Sequence, residues 1–187
     1  MNKIYFALLV AIPVVALALF QPSQAAHSGD DARIARGSYI ANSFGCADCH
    51  TPKKFGPNGP ELDNTRAFSG HPADFVMPPP PVMPEGPWNL AVAGTLTAWS
   101  GPWGVSFPAN LTPDPETGLG KWTEETFVST IRSGRHMGRG REILPPMPIE
   151  QIRNMTDEDL RAIFAYLHSL PAVKNKVPDP IAPAAAR

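Results

Sequence analysis

Cysteine is nearly absent. Of 187 residues only Cys46 and Cys49 carry a thiol, and two cysteines three positions apart cannot form a disulfide framework. Charge of one sign is also missing: 16 Lys and Arg face 17 Asp and Glu, a formal net charge of −1. A nucleic-acid binder normally carries a basic excess, so this balance argues against that partner. Long regular elements have little room, because 23 residues are proline, more than double the ordinary share of about 5%. Such a density opposes a bundle of long helices with short loops, and any large regular sheet. Hydrophobic residues at 43% and charged residues at 18% nonetheless describe a folded chain.

The one long apolar run lies at the start. Lys3 leads into Ile4 to Phe20, followed by Gln21-Pro22-Ser23-Gln24-Ala25. A positive start, an apolar run and small residues at Ser23 and Ala25 describe a secretory signal peptide, residues 1–25. As a membrane anchor the run is shorter than the ~20 residues a bilayer core asks for, and Pro13 interrupts it. Membrane association is therefore expected only if this segment is retained. In a bacterium the export signal leads to the periplasm. Residues 26–175 read as a single domain, and 176–187 as a flexible tail where prolines alternate with alanines.

Three helices are expected. Asp30 and Asp31 precede a helix from about Ala32 to Ser43, with Ile34, Gly37, Ile40 and Ala41 on one stripe. A second begins at Thr123, with Glu124 and Glu125 in its first turn and a Trp122/Phe127 staple, and ends at Gly134. The third is capped by Thr156, repeats Leu160, Ile163, Phe164 and Leu167 at helical spacing, and stops before Pro171. Between Thr51 and about Pro115 the chain reads as loop, including the run Pro78 to Pro81. Six large rings, among them Trp88, Trp99 and Trp103, are scattered there. That many rings suit a wrap packed on the core better than a solvated linker.

The chemistry concentrates in Cys46-Ala47-Asp48-Cys49-His50, a C-x-x-C-H motif. Two thiols at this spacing can each form a thioether with one vinyl group of a haem, and the adjacent histidine is then held against the iron. A thioredoxin-like reading would want a βαβ pattern, and a zinc site a second ligand pair; neither is visible. One covalent haem c is the expected cofactor, with His50 as the proximal ligand. For the opposite face the leading candidate is Met147, which prolines confine on both sides in Leu144-Pro145-Pro146-Met147-Pro148. His136 ranks second and an open position third. Arg135 and Arg139 are candidates for a propionate contact, against the simpler reading of a solvated face.

Several segments carry a family resemblance. Arg36-Gly37-Ser38-Tyr39-Ile40-Ala41 leads to Gly45-Cys46-Ala47-Asp48-Cys49-His50-Thr51; Leu144 to Pro148 and the closing helix from Met155 to Leu167 complete the set. Over most of the chain after residue 25 this resembles the class I monohaem cytochromes c. Asn110-Leu111-Thr112-Pro113-Asp114 and Gly118-Leu119-Gly120-Lys121-Trp122-Thr123 are similar to cytochrome subunits that accompany periplasmic alcohol and aldehyde dehydrogenases. The resemblance implies a mainly α, class I cytochrome c fold: several helices around one covalent haem, with a long proline- and aromatic-rich loop insertion. It implies His50 and Met147 as axial ligands, and first and last helices that cross near Gly37, against Ile163 or Tyr166. Those subunits often carry several C-x-x-C-H motifs, whereas this chain has one.

The ligands set the expected function. A His/Met haem exchanges one electron and leaves no position at the iron for a substrate, so the chain is read as an electron carrier and not an enzyme. A dehydrogenase would be the donor, and an oxidase or another cytochrome the acceptor. The alternatives are a haem subunit of a larger oxidoreductase complex, and a haem sensor or enzyme with an open sixth site.

Overall fold

The computed structural model describes residues 23–83 and 85–183. The expected signal peptide lies outside the described residues apart from its last three positions, as do the final four positions of the tail.

Helix α1 (Ser23–Ser43) begins earlier than the expected Ala32, so Asp30 and Asp31 lie within it instead of capping it. Helix α5 (Asp157–Ser169) packs across it. The Thr156 Oγ1 accepts the Asp159 N–H at 3.1 Å and starts α5, whose Leu160, Ile163, Phe164 and Leu167 form a buried face. Helix α3 (Glu124–Ser133) starts where Thr123 Oγ1 accepts the Thr126 N–H at 3.2 Å, and ends at Gly134 in the left-handed region, φ 67°. It adds Phe127, Val128 and Ile131 to the same core, with the Phe127 and Phe164 rings 5.5 Å apart. Each such side chain contributes roughly 1.5–3 kcal/mol by leaving water. The crossing of α1 and α5 needs Gly37. A Cβ there would collide with the Ala162 carbonyl and lie 2.9 Å from the Tyr166 Cβ. Tyr166 is thus the expected neighbour, and Ala162 stands where Ile163 was the other candidate.

Charged side chains fasten the rim of this three-helix core. Arg33 pairs with Glu124; Arg161 reaches Glu124 at 3.1 Å and Glu125 at 2.9 Å; Arg36 meets Asp159 at 3.0 Å. These pairs are partly exposed, so they orient the helices more than they stabilise them.

The expectation of a mainly α chain with a loop over 51–115 needs correction: the described residues form a mixed helix and strand structure. After the short helix α2 (Cys46–His50), strands β1 (Lys53–Gly56) and β2 (Gly59–Leu62) make an antiparallel hairpin. Strands β3 (Ala91–Val92), β4 (Trp99–Gly101) and β5 (Gly104–Ser106) form an antiparallel sheet in the order β3-β4-β5. The segments between the prolines are β-branched, aromatic and glycine-rich, so short strands fit where longer ones would be broken. Much of the region is packed inward. Phe68, Ala98 and Val105 are buried, and His71 is fully enclosed between the Phe75 and Phe107 rings. The arm through the proline run is not: Val82 is 96% exposed and Trp88 79%. A four-residue helix, α4 (Ile149–Ile152), precedes α5. Among the described residues no helix is long and apolar enough to cross a membrane.

The segment after α5 is tied down at two places. Asn175 donates to the carbonyls of Ser69 (2.7 Å) and His71 (2.9 Å) and accepts the Ala73 N–H at 2.9 Å. Ile181 exchanges both backbone hydrogen bonds with Val105, at 2.8 and 2.9 Å. The flexible tail expected from residue 176 is therefore bonded to β5 at Ile181. Its prolines break helix and sheet interiors but leave an edge pairing open.

Gly37→Ala should lower the unfolding free energy by about 1–3 kcal/mol through overpacking at the helix crossing, read by denaturant titration. A second outcome concerns acid. Asp114 Oδ1 accepts from Thr117 Oγ1 (2.6 Å), Thr117 N (2.7 Å) and Glu116 N (3.1 Å), and the Thr117 hydroxyl bond leads in holding its carboxyl below the usual range. Asp63 and Asp159 are lowered likewise, by bonds from Thr65 and Arg36. In the unfolded chain an aspartate takes its proton near pH ~3.9. The stability these groups contribute is therefore complete above that pH and lost as pH falls through their lower folded values. Asp114→Asn keeps the Oδ1 acceptor but cannot titrate, so its thermal midpoint should fall less steeply than the parent's below about pH 4.

Candidate functional site

Helix α2 is one turn long and consists of the C-x-x-C-H motif itself. Gly45 initiates it at φ 65°, ψ 29°, and a Cβ there would lie 2.7 Å from the Asp48 carboxylate. The left-handed region is open to glycine at little cost, which explains the glycine before Cys46. Cys46 and Cys49, at i and i+3, then fall on one side of the turn, both half-buried and neither in a disulfide. Burial pushes both thiols up. Reactive redox cysteines have lowered values, so this environment counts against a thioredoxin-like centre. Among the described residues no three His, Cys, Asp or Glu side chains converge to hold a metal ion.

His50 closes the turn with its ring in a fixed state. Its Nδ1 lies 2.8 Å from the Ala109 carbonyl. A carbonyl only accepts, so Nδ1 carries the proton and Nε2 keeps its lone pair. Nε2 has no hydrogen-bond partner among the described residues. Burial holds the ring below the ordinary histidine range, so it is neutral near pH 7. The backbone is held as well: the Gly70 N–H donates to the His50 carbonyl at 2.7 Å, and Thr51 Oγ1 accepts the Phe68 N–H at 3.0 Å. Neutral imidazole with one nitrogen hydrogen-bonded to a carbonyl is the usual form of a metal-ligating histidine.

The other candidates separate by location. Met147 is half-buried and packs against the same apolar cluster as Cys46 and Ala47. Met155 touches that cluster too, while Met137 is 51% exposed. His136 lies at the surface, edge-on to Trp122 with centroids 5.3 Å apart. His71 is spent on Phe75 O (2.8 Å) and Thr97 Oγ1 (3.0 Å), and His168 on Leu119 O at 3.0 Å. Arg135 is engaged within its own loop, by Gly140 O at 2.9 Å and Glu142 at 3.2 Å; Arg139 is exposed. Two participants carried no recognisable signal. Ala109 acts through its carbonyl, which is common to every residue type. Ser106 Oγ donates to the Pro145 carbonyl at 2.6 Å, two residues before Met147, across a separation in sequence that no local pattern bridges.

No family model matches the sequence. Individual relatives do. The chain is 32% identical over 157 residues, 82% of its length, to the cytochrome c subunit of the quinone alcohol dehydrogenase of Gluconobacter oxydans. It is 28% identical over 153 residues (79%) to the fructose dehydrogenase cytochrome subunit of Gluconobacter japonicus. To the gluconate 2-dehydrogenase cytochrome c subunit of Pantoea cypripedii it is 28% identical over 156 residues (82%). It spans about a quarter of the length of these relatives: 25%, 24% and 27%.

The chain is thus a relative of dehydrogenase-associated cytochrome c subunits, and haem c is the group against which the site must be tested. The donors fit. Two unpaired thiols share one face of a turn, a buried neutral imidazole has a free Nε2, and a half-buried thioether borders the same apolar cluster.

Proposed function

We propose that the chain is a periplasmic electron carrier holding one covalent haem c, which takes one electron from a dehydrogenase and passes it to an oxidase or another cytochrome. When bound, the haem supplies a metal that changes oxidation state by one electron without transforming a substrate. Cys46 and Cys49 tether it. His50 offers Nε2, its ring oriented by the Ala109 carbonyl, which also strengthens it as a donor. Met147 would supply the second, thioether ligand, and such a ligand would raise the potential. The observation that carries the reading is the His50 ring: buried, with Nδ1 committed and Nε2 free. Residues 26–175 form the one domain that does this.

A second reading keeps the chemistry and changes the assembly. Three relatives are named as subunits of dehydrogenases, and the Val82 and Trp88 side chains stand in solvent. Both support a permanent seat in a larger oxidoreductase complex.

Matured protein should be coloured and heavier than the polypeptide by one haem; Cys46→Ala with Cys49→Ala should abolish that covalent mass. Met147→Ala should eliminate the weak far-red band of the oxidised protein, lower the potential and open the reduced protein to carbon monoxide. An unchanged spectrum in Met147→Ala would reject Met147, and rapid carbon monoxide binding by the parent would favour a sensor or enzyme with an open site.

A further inference from the structure

Strand β5 lies between the chain's last described segment and the loop that carries Met147. On one side, Val105 and Ile181 exchange backbone hydrogen bonds at 2.8 and 2.9 Å. Gly104 lets that segment come close: at φ 94° a Cβ would collide with the Ile181 carbonyl. On the other side, Ser106 Oγ donates to the Pro145 carbonyl at 2.6 Å and accepts from Trp103 Nε1 at 3.3 Å. Ser106 is buried, whereas Pro145 and Pro146 are exposed. The Leu144–Pro148 segment has few bonds of its own. Met147 O accepts the Ile149 N–H at 2.8 Å, and Pro148 O accepts from Gln151 and Ile152. Both tie Met147 forward to α4; upstream the Ile143 N–H donates to the Gly134 carbonyl at 2.9 Å, and between that anchor and Met147 the loop is held through Ser106.

We infer that Ser106 is a positioning residue for Met147: its hydroxyl, backed by the Trp103 indole and the Ile181 pairing, holds the methionine loop closed and sets how readily the thioether yields its place. The inference rests on Met147 being the sixth ligand. A closed loop and an open one form a two-state equilibrium, and an external ligand reads the open fraction. A hydrogen bond of ordinary net strength, ~1 kcal/mol, corresponds to about a fivefold change in that fraction.

The test is carbon monoxide affinity of the reduced, matured full chain, with the far-red band and thermal midpoint measured beside it. Ser106→Ala should keep the band and bind carbon monoxide about fivefold more tightly than the parent. Ser106→Ala with a lower thermal midpoint but unchanged affinity means a structural role alone and overturns the inference. Should Ser106→Ala fail to mature, Ile181→Pro carries the test, since Ile181 is 54% exposed and loses only the N–H that Val105 accepts. Tighter binding supports the inference and unchanged affinity overturns it. Met147→Ala separates the two readings: if it leaves the band and carbon monoxide affinity of the parent intact, the ligand assignment fails, and this inference falls with it. If Met147→Ala alters both and Ser106→Ala does not, only the inference fails.

Discussion

The backbone approach of α1 to α5 at Gly37 governs the architecture. Any side chain at that point would push the Ala162 carbonyl aside, and α1 leads directly into Gly45 and the C-x-x-C-H turn. Opening the crossing would carry Cys46 and Ala47 off the apolar cluster that α5 and α3 build. The ion pairs of Arg33, Arg36 and Arg161 surround the same junction. The helices therefore supply a rigid wall on one side of the motif. The other side is supplied from elsewhere in the chain: Ala109 fixes the His50 ring and Gly70 its carbonyl.

That second contribution gives the long proline-rich insertion a purpose. Proline denies it extended sheets and helices, yet its buried parts are fastened by side chains that satisfy backbone groups. His71 with Phe75, and Asn175 with Ser69 and His71, are two such fastenings. The insertion ends at the residues that touch the site, with Ser106 on the methionine loop and Ala109 on the histidine.

How much of this could be read from the sequence depended on the range of the interaction. The caps at Thr123 and Thr156, the stop at Gly134 and the buried stripe of α5 are local patterns, and they stand where the sequence placed them. The motif at Cys46–His50 is equally local. The start of α1 was misplaced because Asp30 and Asp31 imitate a cap. The strands of the insertion were missed because each spans two to four residues, too few to establish a period of two. The Val105–Ile181 pairing joins residues far apart among prolines, where composition suggested fraying. Contacts through backbone carbonyls, as at Ala109 and Pro145, leave no trace in residue identity.

The α1–α5 partnership unites segments more than a hundred positions apart, and the Val105–Ile181 bridge joins residues 76 positions apart. Topology of that kind postpones closure, since loop entropy must be lost before distant contacts compensate it. During synthesis, the Cys46–His50 turn emerges long before α5 can complete the apolar cluster beside it. The apolar cluster on which Cys46 packs is thereby completed only by the last helix to be made, so the turn that bears the two thiols keeps its full exposure until late in folding and retains part of it in the finished protein.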